Sequence, residues 1–196
     1  PTYALIFNCN VAGAGKNLTT NGAGTVTLSA TNTFNNLTVG AGTLKLTNAQ
    51  SSGTGSLTVN SGGNLNLLAS ITKSVANSGT ITIGAGGGLT AASIGTGVLS
   101  LAGVSGTGAS FTSTSAATLA PASVTMAGNS TITLASATAG ILSSGAATIS
   151  GANNVLSVGG VSAAGNTYTL LSGASLTNTG AITLTGAAVG NQTLAL

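Results

Sequence analysis

Three short segments set the pattern of this chain: Thr25-Val26-Thr27-Leu28, then Leu37-Thr38-Val39, then Thr43-Leu44-Lys45-Leu46. Each alternates an apolar residue with a polar one, and turn-forming Gly, Asn or Ser residues lie between them. A period of two rich in β-branched residues is a strand signal. The same unit returns at Leu57-Thr58-Val59, Leu65-Asn66-Leu67, Thr80-Ile81-Thr82-Ile83, Val98 to Leu101, Val124-Thr125-Met126 and Thr131-Ile132-Thr133-Leu134. It continues at Thr148-Ile149, Tyr168-Thr169-Leu170 and Ile182-Thr183-Leu184. Helix-favouring Glu, Lys, Leu and Arg are replaced by Gly, Thr, Asn and Ser, so almost no helix is expected.

The spacing selects an architecture. Val26 to Leu44, Leu37 to Leu57, Leu44 to Leu65 and Ile81 to Val98 are steps of 18, 20, 21 and 17 residues. Self-similarity near 20 residues marks a stacked repeat. The fold expected is all-β, a parallel β-helix or β-solenoid with roughly 20 residues per coil. A β-sandwich of short antiparallel strands is the alternative. About nine coils would form a rod on the order of 40 Å long, with Val, Ile and Leu stacked inward and Thr, Ser and Asn outward. Residues 1–20 read as an N-terminal strand and lead-in, and residues 21–196 as a single solenoid domain. Asn and Gly are expected at corners, where left-handed backbone is needed.

Composition narrows the function. Of 196 residues, 31 are Gly and 2% are charged; the charges are Lys16, Lys45 and Lys73, with no Asp, Glu, His, Arg or Trp. General acid/base catalysis relies mainly on residue types missing here. Calcium, magnesium and zinc sites need carboxylates or clusters of His and Cys, and the chain has one cysteine. No enzymatic activity, cofactor or metal is expected. The pI near 9.5 arises from three unopposed lysines. They form no basic cluster, so nucleic acid is not an expected partner. Mean hydropathy is positive, which argues against disorder. No apolar run approaches the ~18 residues of a membrane-spanning helix. The segments are also too short, and the aromatics too few, for a membrane barrel.

Gly22 to Leu46, reading G-A-G-T-V-T-L-S-A-T-N-T-F-N-N-L-T-V-G-A-G-T-L-K-L, resembles the passenger-associated strand repeat of bacterial autotransporters and related surface adhesins. That repeat runs approximately G-x-G-T-L-x-L-S-G-x-N-T-Y-x-G-x-T-x-V-x-A-G-T-L. Gly145 to Ser150 and Asn166 to Leu170 echo it, whereas Asn35-Asn36 stand where the family usually has a Gly pair. The resemblance implies export, a right-handed β-helix and a role as an adhesin or surface fibre. The location it implies is extracellular or on the bacterial cell surface. Pro1 is preceded by neither an initiator Met nor a leader, as in a processed chain or a piece of a longer one.

Several local motifs carry no chemistry. Asn10 to Asn17, N-V-A-G-A-G-K-N, resembles a phosphate-binding loop but lacks its first Gly, its terminal Ser or Thr and the helix that should follow. Ser70-Ile71-Thr72-Lys73 has the S-x-x-K form without the partner motifs of penicillin-recognising enzymes. Asn17, Asn36, Asn129 and Asn191 are glycosylation sequons that also suit corners. The pairs Thr25/Thr27, Thr80/Thr82, Thr131/Thr133 and Thr183/Thr185 are ordinary outward strand threonines or, as a charge-free ladder, a surface that orders water and binds ice.

The ends suggest assembly. Tyr3 to Cys9 is the most apolar strand, with Cys9 expected as a small buried hydrophobe, and Asn191 to Leu196 again reads as strand. Neither end shows the polar cap of a solenoid. Head-to-tail stacking of such ends propagates into a filament. Tyr3, Leu5, Phe7, Cys9, Thr193, Leu194 and Leu196 are the candidate inter-subunit contacts. The chain is therefore expected to be a self-assembling extracellular structural protein, a surface or biofilm-matrix filament whose partner is itself, with surfaces or glycans as further partners. The competing expectation is an adhesive or ice-binding rod segment of a larger surface protein.

Overall fold

A computed structural model describes residues 3–13, 15–48, 51–52, 55–159 and 168–186. Every regular element among them is a β-strand, and every strand pairing is parallel. Among the described residues the only antiparallel bridge joins Val104 to Thr107 within one loop. Parallel strands exclude the sandwich and leave the β-solenoid, with strands stacked about 21 residues apart.

One sheet runs the length of the described chain. Its nine strands are Ala4–Phe7, Thr25–Leu28, Gly42–Leu46, Gly63–Leu67, Thr80–Gly84, Val98–Ala102, Ser123–Ala127, Ala146–Ser150 and Ser175–Asn178, adjacent in chain order. A second face begins with Ala12–Gly13, Thr33–Phe34 and Ser51–Ser52. It continues as a six-stranded sheet of Ser70–Thr72, Gly88–Ala91, Ala109–Ser113, Ser130–Leu134, Asn154–Val158 and Ile182–Gly186. The third face holds Leu18–Thr20, Leu37–Val39, Ser56–Val59 and Ser74–Asn77, and later Ile141–Leu142 and Leu171–Ser172.

The registers superpose like on like. Val26 lies beside Leu44, Leu44 beside Leu65 and Leu37 beside Leu57, as the sequence spacing predicts. The fourth interval is one residue off: Ile81 pairs with Leu99, and Val98 pairs with outward Thr80. A one-residue slip exchanges the faces of a strand, so burial settles the register. Leu99 is wholly buried, whereas Val98 is only half-buried.

Two core columns rise through the long sheet. One runs Val26, Leu44, Leu65, Ile81, Leu99, Val124, Ala147; the other runs Leu28, Leu46, Leu67, Ile83, Leu101, Met126, Ile149. A third column on the second sheet, Ile71, Leu89, Phe111, Ile132, Leu156, closes the interior from another side. All except half-buried Val26 are at most a few per cent exposed. Each residue packs against its equivalents in the coils above and below, so burial stabilises by roughly 1.5 to 3 kcal/mol per side chain.

Corners use left-handed backbone. Gly86 and Gly106, then Gly128 with Asn129 and Gly151 with Asn153, have positive φ where the chain leaves the long sheet. The Asn153 side-chain amide donates to Asn129 Oδ1 at 3.2 Å, one coil below. Asn36 likewise donates to Asn17 Oδ1 at 2.9 Å and accepts from the Ser56 backbone N–H at 2.8 Å. These amides tie successive coils together, a structural role for three of the four sequon asparagines; Asn191 lies outside the described residues.

Core columns and corners differ in tolerance. Leu65→Ala and Leu99→Ala should each cost roughly 2 to 5 kcal/mol in urea unfolding, because neighbouring coils cannot collapse into the void. Gly42 has φ 68 and a Cβ there would strike the Gly22 carbonyl oxygen, whereas Gly62 has φ 81 with open space around it. Gly42→Ala should therefore destabilise clearly more than Gly62→Ala, whose cost is the left-handed penalty of roughly 1 to 2 kcal/mol.

Candidate functional site

The first coil is built like the others, from Ala4–Phe7, Ala12–Gly13 and Leu18–Thr20, but it carries the outermost strand of the long sheet. Ala4–Phe7 pairs with Thr25–Leu28 on one side, and among the described residues nothing pairs with its other side. Leu5 sits beneath Val26, and Phe7 beneath Leu28, so both extend the two core columns. Leu5 is nevertheless 53% exposed, and Phe7 is half-buried. Ile6 and Tyr3 are exposed beside them at 58% and 76%. Among the described residues, the apolar columns are thus exposed at this coil.

At the opposite end of the same sheet, Ser175–Asn178 pairs with Ala146–Ser150, and Leu176 continues the column above Ala147. Leu176 is 38% exposed. Of the candidate contacts read from sequence, Tyr3, Leu5 and Phe7 come together on the open coil. Thr193, Leu194 and Leu196 lie outside the described residues. Cys9 departs from expectation: it follows the strand and is an exposed free thiol. The chain turns away after Phe7, so Cys9 has no inward position to occupy.

Outward positions form hydroxyl columns. On the six-stranded sheet, Thr72, Thr90, Thr112, Thr133, Ser157 and Thr185 are successive register partners. On the third face Thr19, Thr38 and Thr58 do the same. The long sheet has Thr82, Ser100, Thr125, Thr148 and Thr177 in one row, but in the earlier coils the same row is interrupted by Lys45 and Asn66. The four Thr pairs singled out in the sequence fall on two different sheets. Thr25/Thr27 and Thr80/Thr82 project from the long sheet, and Thr131/Thr133 and Thr183/Thr185 from the second. Thr72, Thr90 and Thr112 escaped notice because only the register places them in the second ladder.

Lys73 is the one lysine taken into the interior, at 6% exposure. It sits at the corner between Ser70–Thr72 and Ser74–Asn77. Its ammonium donates to the backbone carbonyl of Asn35 at 3.0 Å and reaches that of Phe34 at 3.5 Å. Ser70 is exposed on the outer face, so the S-x-x-K residues point to opposite sides and form no nucleophile pair. Lys16 is exposed in a turn followed by the strand Leu18–Thr20, not by the helix a phosphate loop requires. The described residues hold no cluster of three or more His, Cys, Asp or Glu side chains, and no helix long and apolar enough to cross a membrane. Searches of family models, curated proteins and solved structures return no match for this chain.

Burial pushes the Lys73 ammonium below its ordinary value of 10.5. Desolvation of the charged form outweighs what the two carbonyls return. The unfolded chain then holds this proton more tightly than the folded one. Stability should rise as pH climbs from below the lowered folded value towards 10.5 and level off above it. Thermal melts across that alkaline window should show the gain in the wild type, and Lys73→Met should abolish the difference.

Proposed function

We propose that this chain is a non-enzymatic structural subunit of an extracellular filament, assembled by head-to-tail stacking of β-solenoid units. The observation that supports the reading is the open strand Ala4–Phe7, where both core columns reach solvent through Leu5 and Phe7. An edge strand presents a row of unpaired N–H and C=O groups, and natural proteins blunt such edges with charge, proline or bulges. Ala4–Phe7 has none of these.

The two ends of the long sheet are chemically complementary. If Ser175–Asn178 of one copy lies beneath Ala4–Phe7 of the next, Leu176 faces Leu5 and the column continues across the junction. Such a contact is heterologous, so it propagates instead of closing. Added-strand recognition supplies backbone hydrogen bonds for affinity, and the alternate side chains set the register. Residues 74–196 contain no charged side chain that would oppose association. The likeness of Gly22 to Leu46 to the autotransporter passenger repeat agrees with an exported surface role.

Sedimentation velocity and negative-stain imaging at rising protein concentration test the proposal. The wild type should form unbranched fibres one solenoid wide. Leu5→Asp, which buries an unpaired carboxylate at the junction, should leave monomers with unchanged circular dichroism. Removing residues 1–10 should do the same. A wild type that stays monomeric at every concentration, or fibres unaffected by Leu5→Asp, would overturn it.

A further inference from the structure

We infer that the outer face of the six-stranded sheet is an ice-binding surface, independently of whether copies stack. Its two outward columns are Thr72, Thr90, Thr112, Thr133, Ser157, Thr185 and, beside it, Ser70, Gly88, Ser110, Thr131, Val155, Thr183. Ten of these twelve positions carry a hydroxyl. The hydroxyls of the first column make no hydrogen bond to another described group, so they are available to water.

Three properties fit this face to a crystalline water lattice. The first is repetition in two directions: adjacent strands stand about 4.8 Å apart, and side chains two residues along a strand about 6.6 Å apart. Five strand-to-strand steps make an array roughly 24 Å long. The second is rigidity. Threonine is stiff at χ1, and the core column Ile71, Leu89, Phe111, Ile132, Leu156 is buried directly behind it. The array therefore loses little conformational freedom when it meets a solid.

The third is the absence of charge. None of the three lysines lies on these columns, so no strongly hydrated ion breaks the first water layer. Each threonine offers a hydroxyl that can join a water network and a methyl that water can cage. A lone pair of threonines has both groups but no lattice. The in-register column supplies the lattice.

The other faces are less regular. Lys45, Asn64 and Asn66 interrupt the long sheet, and the third-face threonine column ends at Ala76. A crystalline polysaccharide is the competing planar partner. Sugar rings bind flat surfaces through exposed aromatic platforms, and this face has none. Phe111 lies beneath it, fully buried.

Ice recrystallisation inhibition and partitioning into a slowly grown ice hemisphere test the inference on the purified full chain. The wild type should slow recrystallisation and enter the ice. Thr112→Lys/Thr133→Lys should lower both by at least about ten-fold, since an ammonium must be desolvated to reach the lattice. Thr38→Lys/Thr58→Lys, the same chemistry on the third face, should retain activity. Should the lysine variant misfold by circular dichroism, Thr112→Val/Thr133→Val removes the hydroxyls while keeping strand-favouring shape and should also lose activity. A wild type that leaves ice unchanged, ladder variants as active as wild type, or retention on cellulose or chitin without any effect on ice would each overturn the inference.

Discussion

In this fold each coil is the surface on which the next one folds. A parallel sheet of in-register coils places every inward side chain on its counterpart about 4.8 Å away, so one position must suit its neighbours above and below at once. Leu28, Leu46, Leu67, Ile83, Leu101, Met126 and Ile149 occupy one such column with little change in volume. Stability in such a stack is a sum of nearest-neighbour interfaces. The half-exposure of Leu5 follows directly, because among the described residues it has a neighbouring strand on one side only.

The same rule governs polar groups. Asn36 joins Asn17 below to Ser56 above, and Asn153 rests on Asn129, so an amide at a corner serves as the donor for one coil and the acceptor for another. Asn129 and Asn153 tolerate left-handed backbone because their short polar side chains bond locally, which lets them replace glycine there. Hydroxyl columns outside the sheets follow from the register that aligns the leucines within.

How much of this was legible depended on residue type. The strands with two large apolar residues, such as Leu44 and Leu46 or Ile81 and Ile83, announce both their face and their spacing. Segments with one large residue among Ser, Ala and Gly did not. Ser70–Thr72, Ser74–Asn77, Ala109–Ser113 and Ser175–Asn178 are strands that only their stacking on neighbouring coils reveals. Tyr168-Thr169-Leu170 looked like a strand, but the paired residues are Leu171–Ser172, one step further on. Coil lengths vary, from 16 residues between Asn64 and Thr80 to 29 between Ala146 and Ser175, because loops at corners absorb insertions without disturbing the ladder. A fixed period therefore fails late in the chain, while the inward pattern persists. The buried ammonium of Lys73 had no sequence signal, since its partners are backbone carbonyls 38 and 39 residues away.

The scarcity of charge suits the same geometry. Like charges directly opposite on neighbouring strands are destabilising. At about 4 Å they repel by about 1 kcal/mol in bulk water and about 4 kcal/mol near a protein surface. A repeat unit carrying an ionic side chain would copy that repulsion up the whole column. The three lysines avoid it by isolation. Lys45 stands between Thr27 and Asn66, Lys73 is folded onto carbonyls, and Lys16 projects from a turn of the first coil. Removing charge from the columns has an inseparable second effect: the edges lose the lysines that ordinarily discourage strand addition. A solenoid with so little internal repulsion also has little repulsion against its own copies, so the proposed association between stacks would draw on the same cause as cohesion within the coil stack.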